Sequence, residues 1–76
     1  MKAYAQYYQR HNGVLQETCG SFGVIILDGR MNLQSMKEVA AEHCVKRKYE
    51  AYRIYRGNFR QSTAATEVIE VKHESS

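Results

Sequence analysis

His11, Cys19, His43 and Cys44 are among the side chains in this sequence of types that bind zinc or attack carbonyl carbon. Zinc takes thiolate and imidazole ligands in tetrahedral sets. Here the spacing is unfavourable, because His43 and Cys44 are adjacent, and adjacent residues on a helix point about 100° apart. One ion can rarely take both. A Cys-His-Asp set can be written from Cys19, His43 and Asp28, but any short chain with three histidines allows such an assembly, and nucleophilic catalysis also requires a pocket and oriented donors. Gly20-Ser21-Phe22-Gly23 has the glycines of a phosphate loop. It lacks the downstream Gly-Lys-Ser/Thr, and a strand-like run follows it where a helix is needed. No enzymatic activity, metal or other cofactor is therefore expected. Asp28, Glu38 and Glu42 have simpler roles in a turn, a helix cap and a solvated helix face.

One constellation remains. Tyr4, Tyr7 and Tyr8 precede a helical segment and Tyr49, Tyr52 and Tyr55 follow it, with Arg10, Arg53 and Arg56 interleaved. On a sheet, such residues either fill a small core and knit cross-strand pairs or present a flat basic face. A protein partner would use that face because Tyr and Arg are enriched at binding hot spots. Single-stranded nucleic acid would use it by stacking bases on tyrosine while arginine neutralises phosphate. The candidate partner-binding set is Tyr4, Tyr8, Arg10, Tyr49, Arg53, Tyr55 and Arg56. A protein partner is the leading reading, a nucleic-acid-binding module the alternative, and a homodimer through the same face the third. No RNP-type run occurs, which weighs against RNA.

The elements that must position these side chains can be read along the chain. Ala3 to Arg10 leads into His11-Asn12-Gly13, and Asn-Gly between strand-like runs is a strong hairpin signal because both turn residues tolerate positive φ. Val14 to Cys19 is thus expected to pair with Ala3 to Arg10. Val24-Ile25-Ile26-Leu27 is an unbroken apolar run, which reads as a strand covered on both faces, either central in the sheet or at an interface. Asp28-Gly29 marks a tight turn.

Ser35 and Glu38 have the S-x-x-E spacing of a capping box, so a helix is expected to begin at Ser35. Met36, Val39, Ala40, His43 and Cys44 then fall on one side, opposite Glu38, Glu42, Val45 and Lys46, with Glu42 and Lys46 spaced to pair. Basic Lys46, Arg47 and Lys48 suit the helix end. Tyr49 to Arg56 alternates as a strand, with Tyr52 and Ile54 on one face and Tyr49, Ala51, Arg53 and Tyr55 on the other. Gly57-Asn58 ends it, Arg60 to Ala65 reads as a polar connection, and Val68, Ile69 and Val71 suggest a last short edge strand.

These elements define an α+β fold: an antiparallel sheet of three to five strands with one α-helix packed on one face. The expected boundaries are a single domain over residues 1–72 and a frayed tail, His73-Glu74-Ser75-Ser76. At 76 residues there is space for one modest core. An apolar fraction of 43% with 25% charged residues argues against disorder. The absence of proline rules out a polyproline ligand.

A net charge of +3 favours acidic partners without identifying one. No apolar run approaches the roughly 18 residues that span a bilayer, and the first residues lack the apolar core of a signal peptide. A cytosolic location with no membrane association is expected. The two cysteines, far apart in sequence, are expected to be reduced. In size and layout the chain looks like many small proteins carried by phages and bacterial mobile elements, several of which act as inhibitors docking on host machinery. That resemblance implies a regulator or inhibitor acting by direct contact with a protein.

Overall fold

Strand β1 (Lys2–His11) turns through Asn12 and Gly13 into β2 (Val14–Glu17). Both turn residues have positive φ, 52° and 81°, the backbone that Asn-Gly supplies with least strain. The structure, a computed structural model, describes residues 2–18, 23–58 and 60–72. Cys19, Gly20 and the expected 73–76 tail lie outside them. Next come β3 (Val24–Asp28), α1 (Leu33–Arg47), β4 (Ala51–Asn58), β5 (Gln61–Ala64) and β6 (Ile69–Glu70).

All pairings are antiparallel, and the sheet is curled. β1 and β4 form its centre, with Ala5 opposite Ile54 and Tyr7 opposite Tyr52. The outer side of β1 is shared, β3 pairing with its first half and β2 with its second. The outer side of β4 is shared likewise between β6 and β5. With one helix on this sheet, the fold is the α+β arrangement expected from the sequence.

β3 departs from expectation. It pairs with β1 alone among the described strands and forms an edge. Only Leu27 on it is buried, while Ile26 is 63% exposed. The unbroken apolar run suggested two covered faces, but Ile25 and Leu27 turn toward α1 and Ile26 turns to the face that no helix covers. A strand is also present where a polar connection was expected, because Gln61 to Ala64 pairs with β4. Gly57 makes this hairpin possible: its φ is +113°, and a Cβ there would sit 2.6 Å from the Gln61 carbonyl oxygen.

The helix begins one turn earlier than the capping-box spacing indicates. Asn32 is the N-cap, its Oδ1 accepting from the Ser35 N–H at 2.8 Å. Ser35 therefore lies inside the first turn and does not cap. The earlier start brings Leu33 into the apolar stripe with Met36, Ala40 and Cys44, so extra burial accompanies the extra turn. Glu38, Glu42, Val45 and Lys46 are exposed, as their side of the wheel requires. Glu42 and Lys46 form no ion pair; among the described residues that contact belongs to Arg10 and Glu70.

At its other end the helix closes with a Schellman motif. Lys48 adopts the left-handed conformation at φ 63°, its N–H bonds the Val45 carbonyl at 3.2 Å, and the Tyr49 N–H bonds the Cys44 carbonyl at 2.9 Å. This reversal directs Tyr49 back over the last turn. The core between helix and sheet comprises Ala3, Ala5, Tyr7, Leu27, Met36, Ala40, Cys44, Tyr49, Tyr52 and Ile54.

Candidate functional site

Alternation along β1 and β4 sorts the tyrosines between the two faces. Register pairs Tyr7 with Tyr52 on the helix side, and both are buried. It pairs Tyr4 with Tyr55 on the other side, where Tyr8 and Arg53 also lie. Five of the seven candidate residues, Tyr4, Tyr8, Arg10, Arg53 and Tyr55, thus share the face away from the helix. Arg56, opposite Ala3, is exposed at the end of the helix-side face and does not join them.

Tyr49 does not belong to this face. The sequence places it at the start of a strand with its ring pointing away from the helix, but the strand begins at Ala51 and the Schellman reversal inserts the ring into the core. It is 6% exposed and stacks on Tyr7 with ring centroids 4.7 Å apart. Its carbonyl also accepts a hydrogen bond from the Cys44 thiol at 3.1 Å.

Within the shared face the side chains are largely engaged with one another. The Tyr4 and Tyr55 rings stack at 5.1 Å, and the Tyr4 hydroxyl is 2.9 Å from the Ser62 Oγ. Burial first, and the neighbouring Tyr55 hydroxyl second, push the Tyr8 phenol up to about 12. Tyr4 and Tyr8 are each only 8% exposed. The Arg53 guanidinium lies 5.5 Å from the Tyr55 ring centroid while its Nε donates to the Thr66 carbonyl at 2.9 Å. Arg10 pairs with Glu70 and donates to the Gly13 carbonyl at 3.2 Å. Tyr55 and Arg53 keep partial exposure.

Ile26 is the residue that sequence reasoning left out. It sits directly opposite Tyr4 across the β1–β3 pairing, so it belongs to the same face. Its run has no polar-apolar alternation to reveal an outward position, and the cross-strand register with Tyr4 is the feature that fixes it.

Of the groups considered for chemistry, Cys19 lies outside the described residues. No cluster of three or more His, Cys, Asp or Glu suited to a metal forms among the described residues. Cys44 is fully buried, and desolvation chiefly, with the Glu50 charge second, pushes its thiol up to about 11. A thiol so protonated is a poor nucleophile. Asp28 occupies its turn: its Oδ1 accepts from the Arg30 N–H and its carbonyl from the Met31 N–H, at 2.9 and 3.0 Å. No helix among the described residues is long and apolar enough to cross a membrane. Comparison with family models, curated protein sequences and solved structures returned no match.

Proposed function

We propose that this chain is a non-enzymatic binding module that docks a protein partner on the sheet face opposite the helix. The observation that carries the reading is Ile26, 63% exposed beside the Tyr4–Tyr55 stack. An exposed branched aliphatic residue against aromatic rings, with a guanidinium alongside, has the composition of an interface centre. Rings held by stacking and hydrogen bonds also lose little entropy on docking. A regulator or inhibitor acting by direct contact is the role such a module would fill.

Nucleic acid would require rings open for stacking and cations open for phosphate. Tyr4 and Tyr55 stack on each other, Tyr8 is buried, and Arg10 is paired with Glu70. These engagements favour the protein reading.

The test begins with a pull-down from the native host to identify the partner by mass spectrometry. Its affinity is then measured for wild type, Ile26→Asp and the Arg53→Ala, Tyr55→Ala double variant. Both variants are expected to keep the wild-type circular dichroism and to lose more than tenfold in affinity, at least about 1.4 kcal/mol. Unchanged affinity in both would move the interface elsewhere. A salt titration distinguishes the nucleic-acid alternative, which predicts a steep logarithmic loss of affinity for each phosphate neutralised.

A further inference from the structure

At one end of the same face lies an open cleft of about 630 Å³, with Lys2, Tyr4, Ile26, Gly57, Asn58 and Arg60 among its lining residues. The topology creates it. The first residues of β1 pair with β3 on one side and with the end of β4 on the other, Lys2 opposite Asp28 and Ala3 opposite Arg56. β3 therefore forms one wall and the β4–β5 hairpin the other. The volume lies in the range that admits several side chains of a ligand.

The apolar part of the cleft is pre-formed. Tyr4 is fixed by its stack on Tyr55 and by its contact with Ser62, and Ile26 stands beside it largely exposed. Lys2 and Arg60 are both exposed, and among the described residues neither side chain makes an ion pair or hydrogen bond. Among the described residues no carboxylate lines the cleft. Asp28, across from Lys2, lies outside the lining and accepts from the Arg30 N–H. An apolar floor between two exposed cations whose side chains form no ion pair among the described residues suits a ligand that is apolar at its centre and anionic at its ends.

We propose that this cleft receives an acidic, apolar segment of the protein partner, one aliphatic or aromatic side chain resting on Tyr4 and Ile26 and flanking carboxylates meeting Lys2 and Arg60. The proposal rests on the protein-binding reading above and names the chemistry of that partner. A nucleic-acid strand fits less well, because the floor offers an aliphatic side chain and a ring already stacked on Tyr55.

The experiment titrates the isotope-labelled chain, followed by amide NMR shifts, with three blocked peptides: Glu-Leu-Asp-Phe-Glu, its neutral counterpart Gln-Leu-Asn-Phe-Gln, and the basic Lys-Leu-Lys-Phe-Lys. The acidic peptide is expected to shift the amides of Lys2, Tyr4, Ile26 and Arg60 saturably, and the neutral one to bind at least tenfold more weakly. The Lys2→Glu, Arg60→Glu double variant should lose the acidic peptide and take up the basic one. Should that variant fail to fold, Lys2→Gln, Arg60→Gln is expected to bring the acidic peptide down to the neutral peptide's affinity.

Equal affinity for acidic and neutral peptides would overturn the proposal, as would the absence of any saturable shift at the cleft. It would equally fail if an oligothymidylate shifted the same amides at lower concentration than the acidic peptide. Shifts confined to Arg53 and Tyr55 would overturn the cleft while leaving the face as a protein-binding surface. No peptide shift anywhere on the face, with normal partner binding by the Arg53/Tyr55 variant, would overturn both.

Discussion

Two core side chains, Ile54 and Cys44, have no exposed surface, and each supports a measurable expectation. Ile54 lies opposite Ala5 at the centre of the sheet and packs toward α1. Ile54→Ala should cost about 2 to 4 kcal/mol, the transfer free energy of the lost carbons plus the cavity left behind. Urea unfolding with an unchanged slope would measure it, and a loss below about 1 kcal/mol would mean that the site collapses around the smaller residue.

Cys44 introduces a pH dependence. Its thiol is raised from 9.0 to about 11 in the folded chain, so folding favours the protonated form. The sign follows directly: the stabilisation is fully present below the unfolded value of 9.0 and is lost as pH climbs through about 11. Burial also raises the Tyr7, Tyr8 and Tyr52 phenols, which act in the same direction at still higher pH. Melting temperature should therefore fall across this alkaline window, and less steeply in Cys44→Ala. Identical slopes for the two proteins would remove Cys44 from the account.

For the elements, the helix start separates two residues that both look like caps. Asn32 accepts from the Ser35 N–H through its side chain, whereas Ser35 contributes only its backbone. Asn32→Ala is expected to destabilise by about 1 kcal/mol and Ser35→Ala by less than half of that, as thermal melts would show. The reverse order would place the cap at Ser35. The capping-box spacing was a sound signal for a helix in this region, but an N-cap three residues earlier admits Leu33 to the apolar stripe. Local pattern located the helix, and burial selected between two acceptable starts.

Strand β5 illustrates the opposite limit. Gln61, Ser62, Thr63 and Ala64 carry too little apolar character to announce a strand, and they form one because Gly57 lets the chain return along β4. By contrast, β4 was legible, since Tyr52 and Ile54 alternate with Arg53 and Tyr55. That alternation holds in the structure, with the first pair buried and the second partly exposed.

For the molecule as a whole, a sheet with one helix has one sealed face and one that must be managed without a helix. This chain does so by curling the sheet and by letting Tyr4, Tyr8, Tyr55 and Arg53 cover one another. Arg10 and Glu70 add a bridge between β1 and β6 across that face. Both side chains are largely exposed, 42% and 61%, so the pair should contribute little. A double-mutant cycle with Arg10→Ala and Glu70→Ala is expected to give a coupling of about 0 to 1 kcal/mol, shrinking at high salt. A larger coupling that persists in salt would make the bridge a structural clamp.

The sequence by itself determined one α-helix with Met36, Ala40 and Cys44 inward, an Asn-Gly hairpin, and an alternating Tyr/Arg strand, hence an α+β fold. Each of these is written in short-range order, in turn residues that accept positive φ and in periods of 3.6 or 2 that a few neighbours display. Only the tertiary structure decided which tyrosines are covered, that Tyr49 turns into the core, and that Ile26 faces outward beside Tyr4 on an edge strand. Those outcomes depend on which strand lies on each side of β1 and β4, and on a left-handed turn at Lys48 that reverses the chain. Burial is a property of pairs brought together from distant parts of the chain, and periodicity within one segment does not encode its neighbours.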